Sequence, residues 1–129
     1  MEKYKCIEPK KGDIVKVEIS NKICHFGLYL GDDKIIQYGL ANDFLNTKKE
    51  DVKVLISSMD EFLNGKMALV RVYSLIDKIK KNSVKKSIQK AMDRLNEQKY
   101  DPINNNCEHF VNECVFNKHI SNQTKKAIN

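Results

Sequence analysis

"PINNNCEHFVNECVF" occupies residues 102–116, and its reading decides the fold. Pro102 and three consecutive asparagines break the chain, and asparagine side chains cap helices and tolerate unusual backbone angles. Phe110, Val111, Cys114 and Val115 then recur at the spacing of one helix face, so a helix is expected to begin near Asn106 or Cys107. That places Cys107 in the first turn, where unpaired N–H groups and the positive end of the helix dipole favour an anion. A thiol there is expected to lose its proton more readily, and the thiolate is the reactive form. Three readings of Cys107 are open at this point: a nucleophile, a metal ligand, or a small buried apolar residue.

The chain upstream reads first as strands and then as a helix. "GDIVKVEI" (12–19) alternates with the period of a half-buried strand, and "ICHFGLYLG" (23–31) is an apolar run that ends in a "GDD" turn signal. "KIIQYG" (34–39) follows at hairpin distance. "VKVLI" (52–56) and "MALVRVY" (67–73) suggest a third strand pair. Val84, Ile88, Ala91, Met92 and Leu95 mark one helix face, with Ser83 placed as its N-cap. The residues after Phe116, "NKHISNQTKKAIN", read as a fraying polar tail. The expected fold class is α+β: a small, mainly antiparallel sheet of about five strands, packed by helices that cluster late in the chain. One domain is expected over 1–129, with its core at about 11–117 and the tail at 118–129.

A chain of 129 residues suits one such domain. No apolar run has signal-peptide or membrane-span length, so a cytoplasmic protein, at most peripheral at membranes, is expected. Its four cysteines are then expected to stay reduced, and Cys107 and Cys114, two turns or roughly 10 Å apart on one helix, are too distant for a disulfide. The net charge of +6 points to an anionic partner. Lys78, Lys80, Lys81, Lys85, Lys86 and Lys90 crowd together, either as a solvated helix face or as a weak contact with anionic membrane. Nucleic acid is the weaker reading, because no aromatic residues interleave with the lysines.

A thiolate nucleophile needs a base. His119 lies in the polar tail and reads as surface. His109, two residues from Cys107 on one helix, points to another face and reads as structural. His25 sits inside an apolar strand, where an imidazole is costly unless it is paired. With the turn near residues 32–33, Gln37 on the adjacent strand comes close enough to orient the ring. That supplies a nucleophile, a base and an orienting group. A zinc reading of Cys24, His25, Cys107 and His109 competes, but Cys24 and His25 point to opposite strand faces and neither pair has strong ligand spacing, so no metal and no cofactor are expected.

Three segments resemble the lecithin:retinol acyltransferase-like family of the permuted NlpC-type, papain-like thiol hydrolase superfamily. They are "KGDIVKVEI", "HFGLYLGD" and, most specifically, "NCEHFVNE"; Tyr100, seven residues before the cysteine, and the helix "KKSIQKAMDRLNEQ" also fit. The resemblance implies a circularly permuted papain-like fold, with the histidine before the cysteine in the chain. It implies that Cys107 is the nucleophile and His25 the general base of acyl transfer through a thioester. Gln37 stands where well-known members carry a second histidine, and it can hold a tautomer but cannot relay a proton. Backbone N–H groups at the helix start would hold the oxyanion, with site support from Tyr100 and Asn106. His109 and Glu108 are expected to be structural neighbours.

The implied activity is that of a phospholipase-A or acyltransferase type enzyme acting on an acyl-bearing lipid. The animal members' C-terminal membrane anchor is not expected after Phe116. The alternatives are a thiol amidase or peptidase of the NlpC type, and a non-catalytic binding module. Cys6 is expected at the surface, Cys24 in the core facing away from the catalytic side, and Cys114 buried and inert. Asp13 and Asp32 are expected to serve turns, and residues 40–66 to build part of a substrate wall.

Overall fold

The computed structural model describes residues 2–40 and 47–124. Six strands form one antiparallel sheet: β1 (Lys3–Lys5), β2 (Ile14–Ser20), β3 (Ile23–Gly31), β4 (Lys34–Tyr38), β5 (Val54–Ser58) and β6 (Leu69–Val72). Their order is β1-β6-β2-β3-β4-β5. Among the described residues the helices that follow or interrupt them include α1 (Met59–Leu63), α2 (Leu75–Lys80), α3 (Val84–Met92) and α4 (Cys107–Phe116), with a 3-10 turn at Lys49–Asp51 and a last helical turn at 122–124. The α+β class read from the sequence is the class observed.

The central hairpin follows the sequence closely. Asp32 and Asp33 take positive φ values of 51° and 62°, the backbone of a tight turn between β3 and β4. Asp13 also serves a turn, accepting the Lys10 N–H at 2.7 Å. The sheet divides the core in two. Ile14, Phe26, Leu28, Ile36 and Tyr38 pack with Ala91 of α3 and with Cys107, Phe110, Val111, Cys114 and Val115 of α4. On the other face Val15, Val17, Ile35 and Val70 pack against Met59 and Phe62 of α1. Gly27 belongs to this second face, where a Cβ would stand 2.7 Å from Ile35 Cδ1 and 3.0 Å from Phe62 Cε1. Only a glycine leaves room there for the Phe62 ring.

Several expectations are corrected. The sheet has six strands rather than about five, because the short β1 adds to the edge of β6. The segments 52–56 and 67–73 do not pair with each other: β5 lines up on β4, and β6 lies between β1 and β2. The helix after Ser83 stops at Met92, and the chain turns so that the Asn96 N–H reaches the Val54 carbonyl. Met92 and Leu95 are consequently exposed. The lysine-rich stretch is not one helix face but spans α2 and α3, joined by Lys81–Ser83.

The polar segment after α4 does not fray over its described part. Residues 118–124 fold back along α4 as a strap, with Ser121 buried and the Ile120 carbonyl accepting Asn112 Nδ2 at 3.0 Å.

Candidate active site

Asn106 starts α4. Its Oδ1 accepts the N–H groups of Glu108 at 3.0 Å and His109 at 3.1 Å, and its own N–H donates to His109 Nδ1 at 3.0 Å, closing a reciprocal cap. Asn106 Nδ2 donates to the Pro102 carbonyl and to the hydroxyls of Ser121 and Thr124. Both ends of this side chain are therefore used in holding the helix start, and its support of the site acts through that cap.

Cys107 follows in the first turn and is buried, 2% exposed. Its thiol is touched by the backbone N–H groups of Phe26, Glu108 and Cys107 itself. The β3–β4 ladder ends at Gly27 opposite Gln37, so β3 runs past its partner just where the Phe26 N–H meets the sulfur. The expected easing of thiol ionisation is overruled by burial, which pushes the group up to about 12 despite those N–H groups. The nearby Glu108 carboxylate adds to the rise. A buried thiolate costs more in lost hydration than one helix terminus returns.

His25, one residue before Phe26, is fully buried. Its ring lies against Phe62 of α1, with centroids 5.3 Å apart. Its Nε2 stands 2.7 Å from Gln37 Oε1, as the 27-to-37 register requires. Gln37 is also fully buried, and its Nε2 donates to Ser57 Oγ. Ser57 in turn donates to the Ser58 carbonyl at 3.0 Å. This chain of bonds has a direction. The hydroxyl proton of Ser57 is spent on a carbonyl, so its oxygen accepts the amide N–H of Gln37. That leaves the amide oxygen facing His25, which puts the imidazole proton on Nε2 and the lone pair on Nδ1. Ser57 was not singled out from the sequence; its only signal there is a hydroxyl opposite Ile35, diagonal to Gln37, once β5 is set beside β4.

The remaining residues fall into place around this centre. Tyr100 is buried in the same cluster as Cys107, its ring edge-on to Tyr38, and its hydroxyl is made less acidic by burial first and by Cys107 next. Glu108 is buried and accepts the Ser121 hydroxyl at 2.9 Å and the Gln123 N–H at 3.1 Å. Its carboxyl is raised, chiefly by burial. His109 stacks on His119 with ring centroids 4.2 Å apart, so neither ring is turned to the sulfur side of the helix. His119 is half-exposed but not free: it bonds Glu113 and the Asn104 carbonyl.

Cys24 departs from expectation, since it packs against the cluster that holds Cys107 while its N–H donates to Gln123 Oε1 at 2.8 Å. Cys6 is exposed, and Cys114 is buried with its thiol pushed up to about 12 by burial. Among the described residues no group of three His, Cys, Asp or Glu side chains converges as a metal would require. Nor is any described helix long and apolar enough to cross a membrane. Within the proposed substrate wall at 40–66, residues 41–46 lie outside the described residues.

Comparison with known proteins bears on this arrangement. The chain is 28% identical over 137 residues to the lecithin retinol acyltransferase of Mus musculus, which covers 90% of this chain and 58% of that protein. It is 26% identical over 137 residues to the Homo sapiens lecithin retinol acyltransferase, again 58% of that protein. It is also 26% identical over 128 residues to the Homo sapiens phospholipase A and acyltransferase 4, covering 93% of this chain and 77% of that one. The chain thus spans a little over half the length of the lecithin retinol acyltransferases it matches. The family model described as lecithin retinol acyltransferase matches residues 7–120, from before β2 to beyond the end of α4, and the chain belongs to that family.

Proposed function

We propose that the chain is a thiol-dependent acyltransferase or acyl hydrolase acting on acyl-lipid esters through a thioester on Cys107. The observation that carries the reading is the meeting of the Cys107 thiol with the Phe26 N–H, one residue from an imidazole whose Nε2 is held by Gln37. The names of the relatives, an acyltransferase acting with lecithin and retinol and a phospholipase A, supply the substrate class.

The thiol is neutral at rest, so proton removal and attack go together. Cys107 Sγ bonds to the ester carbonyl carbon while His25 Nδ1 takes the thiol proton, because Nε2 is committed to Gln37. The carbonyl oxygen becomes an oxyanion. Of the first-turn amides, those of Glu108 and His109 bond Asn106, which leaves the Cys107 N–H to face that oxygen, with Tyr100 lining the same cluster. Collapse expels the alcohol, which takes the proton from His25, and the acyl group remains on sulfur. Water, an alcohol or an amine then attacks the thioester with His25 again as base, and the thiol is restored.

The test is the intact mass of the protein after incubation with a phospholipid, beside Cys107→Ala. The wild type should gain one acyl mass and the variant none. Absence of the adduct with esters, together with cleavage of amide donors, would move the reading to a thiol amidase. Absence with both would leave a binding module.

A further inference from the structure

Helix α2 buries none of its own side chains. Leu75, Ile76 and Ile79 share one face of it and are 80%, 62% and 82% exposed. The orientation is fixed from within. Ser74 and Asp77 form a reciprocal cap, and Asp77 turns inward to Arg71, 3.6 Å away, which is itself buried and paired with Glu2. Asn82, just after α2, is pinned to the carboxyl end of α4: its N–H donates to the Val115 carbonyl at 2.7 Å and its amide to the Cys114 carbonyl at 2.9 Å. The aliphatic ridge is thus held outward on a firm base. Lys78 and Lys80 flank it, and the exposed Lys85 and Lys86 follow in the first turn of α3.

We propose that this ridge is a docking surface for anionic phospholipid membrane, with Leu75, Ile76 and Ile79 entering the headgroup boundary and the surrounding lysines meeting lipid phosphates and carboxylates. Two observations select lipid over a protein partner. The ridge is purely aliphatic, whereas protein hot spots favour Trp, Tyr and Arg. It is also ringed by lysine, which protein interfaces avoid and which suits an anionic surface, the stems lying along apolar groups while the charges reach the headgroups. The one carboxylate of α2, Asp77, is occupied inside. The surface stands on this geometry alone; its use, bringing the enzyme to an acyl-lipid, rests on the function proposed above. Since α2 meets α4 at the end opposite Cys107, docking does not cover the start of α4.

The experiment is vesicle co-sedimentation of the whole chain with phosphatidylcholine alone and with added phosphatidylserine. Wild type should bind the serine-containing vesicles at least tenfold more tightly and be released by salt. Ile76→Ser/Ile79→Ser should lose binding to both kinds, and Lys78→Glu/Lys80→Glu should lose only the preference. None of these side chains is buried, so thermal melts should match wild type. Equal binding to the two vesicle types, or variants that bind as wild type does, would overturn the proposal. So would a dimer seen by sedimentation without lipid that Ile76→Ser/Ile79→Ser dissolves. Cys107→Ala should dock normally, and the ridge variants should still form the thioester with a short water-soluble ester. A failure of the chemistry is thereby separated from a failure of docking.

Discussion

Gln37 Oε1 stands 2.7 Å from Nε2 of His25, and the opposite end of the same amide is held by Ser57. A glutamine so fixed sets which ring nitrogen carries the proton and has no titratable proton to relay. The proposed base is therefore Nδ1, and its strength is set by an uncharged neighbour.

A charge placed at residue 37 should show directly. In Gln37→Glu the carboxylate favours imidazolium, so the imidazole holds its proton to higher pH and the acid limb of the pH–rate profile moves up. Thioester formation from a soluble ester near neutral pH should fall about tenfold. Ser57→Ala should also slow it about tenfold by releasing the amide, with Ser57→Thr recovering the rate. An unmoved acid limb in Gln37→Glu would mean that the ring does not depend on residue 37.

The thiol itself is held neutral by burial, at about 12. Alkylation of Cys107 by iodoacetamide in His25→Ala should be negligible at neutral pH and rise only as pH approaches that value. Wild type should react faster across the neutral range, because the ring accepts the proton. Identical profiles for the two proteins would remove His25 from the role of base.

Gly27 makes the space in which Phe62 reaches the imidazole. Gly27→Ala drives a methyl into Ile35 and the Phe62 ring, which should destabilise the fold by about 1–3 kcal/mol in urea unfolding. Thioester formation should fall as well, since the ring packed on Phe62 is displaced. A stable variant with full rate would show that the second face of the core yields without cost.

His109 is held below the usual histidine range by burial, and by His119 next. Its Nδ1 must stay unprotonated to accept the Asn106 N–H. Below the unfolded value the denatured chain binds a proton that the folded chain resists, so this residue makes stability fall with falling pH. His119 works the other way, raised chiefly by its bond to Glu113. Between about pH 8 and about pH 5.5, His119→Asn should therefore lose more stability than wild type, and His109→Gln less. Urea midpoints at the two pH values decide it.

Glu108 and Ser121 lie thirteen residues apart in sequence and share a buried bond. Ser121→Ala should cost about 1–3 kcal/mol, because the carboxylate loses a donor. Combined with Glu108→Gln the losses should be less than additive. Simple additivity would mean that the strap does not bear on the helix start.

The sequence made the centre of the molecule readable and left its margins obscure. The period-2 pattern of 23–39 and a turn at 32–33 suffice to set Gln37 near His25, and an asparagine before an apolar stripe suffices to start α4 at Cys107. Strand order was not readable in the same way, because the alternation in 52–56 or 67–73 shows which residues are buried but not beside which strand. β1 has three residues and exists through its bonds to β6. In α2 the apolar spacing marks a face, yet that face points outward. The strap looked like a tail because its buried groups are polar and satisfy one another. Ser121, Asn106 and Glu108 give no hydrophobic signal even though they are buried.

The return of the chain after α4 has a consequence for how the protein is made. The sheet and α4 are complete by residue 117, but the side chains that clasp the first turn of α4, those of Ser121 and Thr124, are synthesised after them. A growing chain with its sheet already paired still holds Asn106 and Glu108 without these partners. The cap beneath Cys107 is completed only after residue 124 has left the ribosome, so the thiol environment matures later than the sheet and helix that carry it.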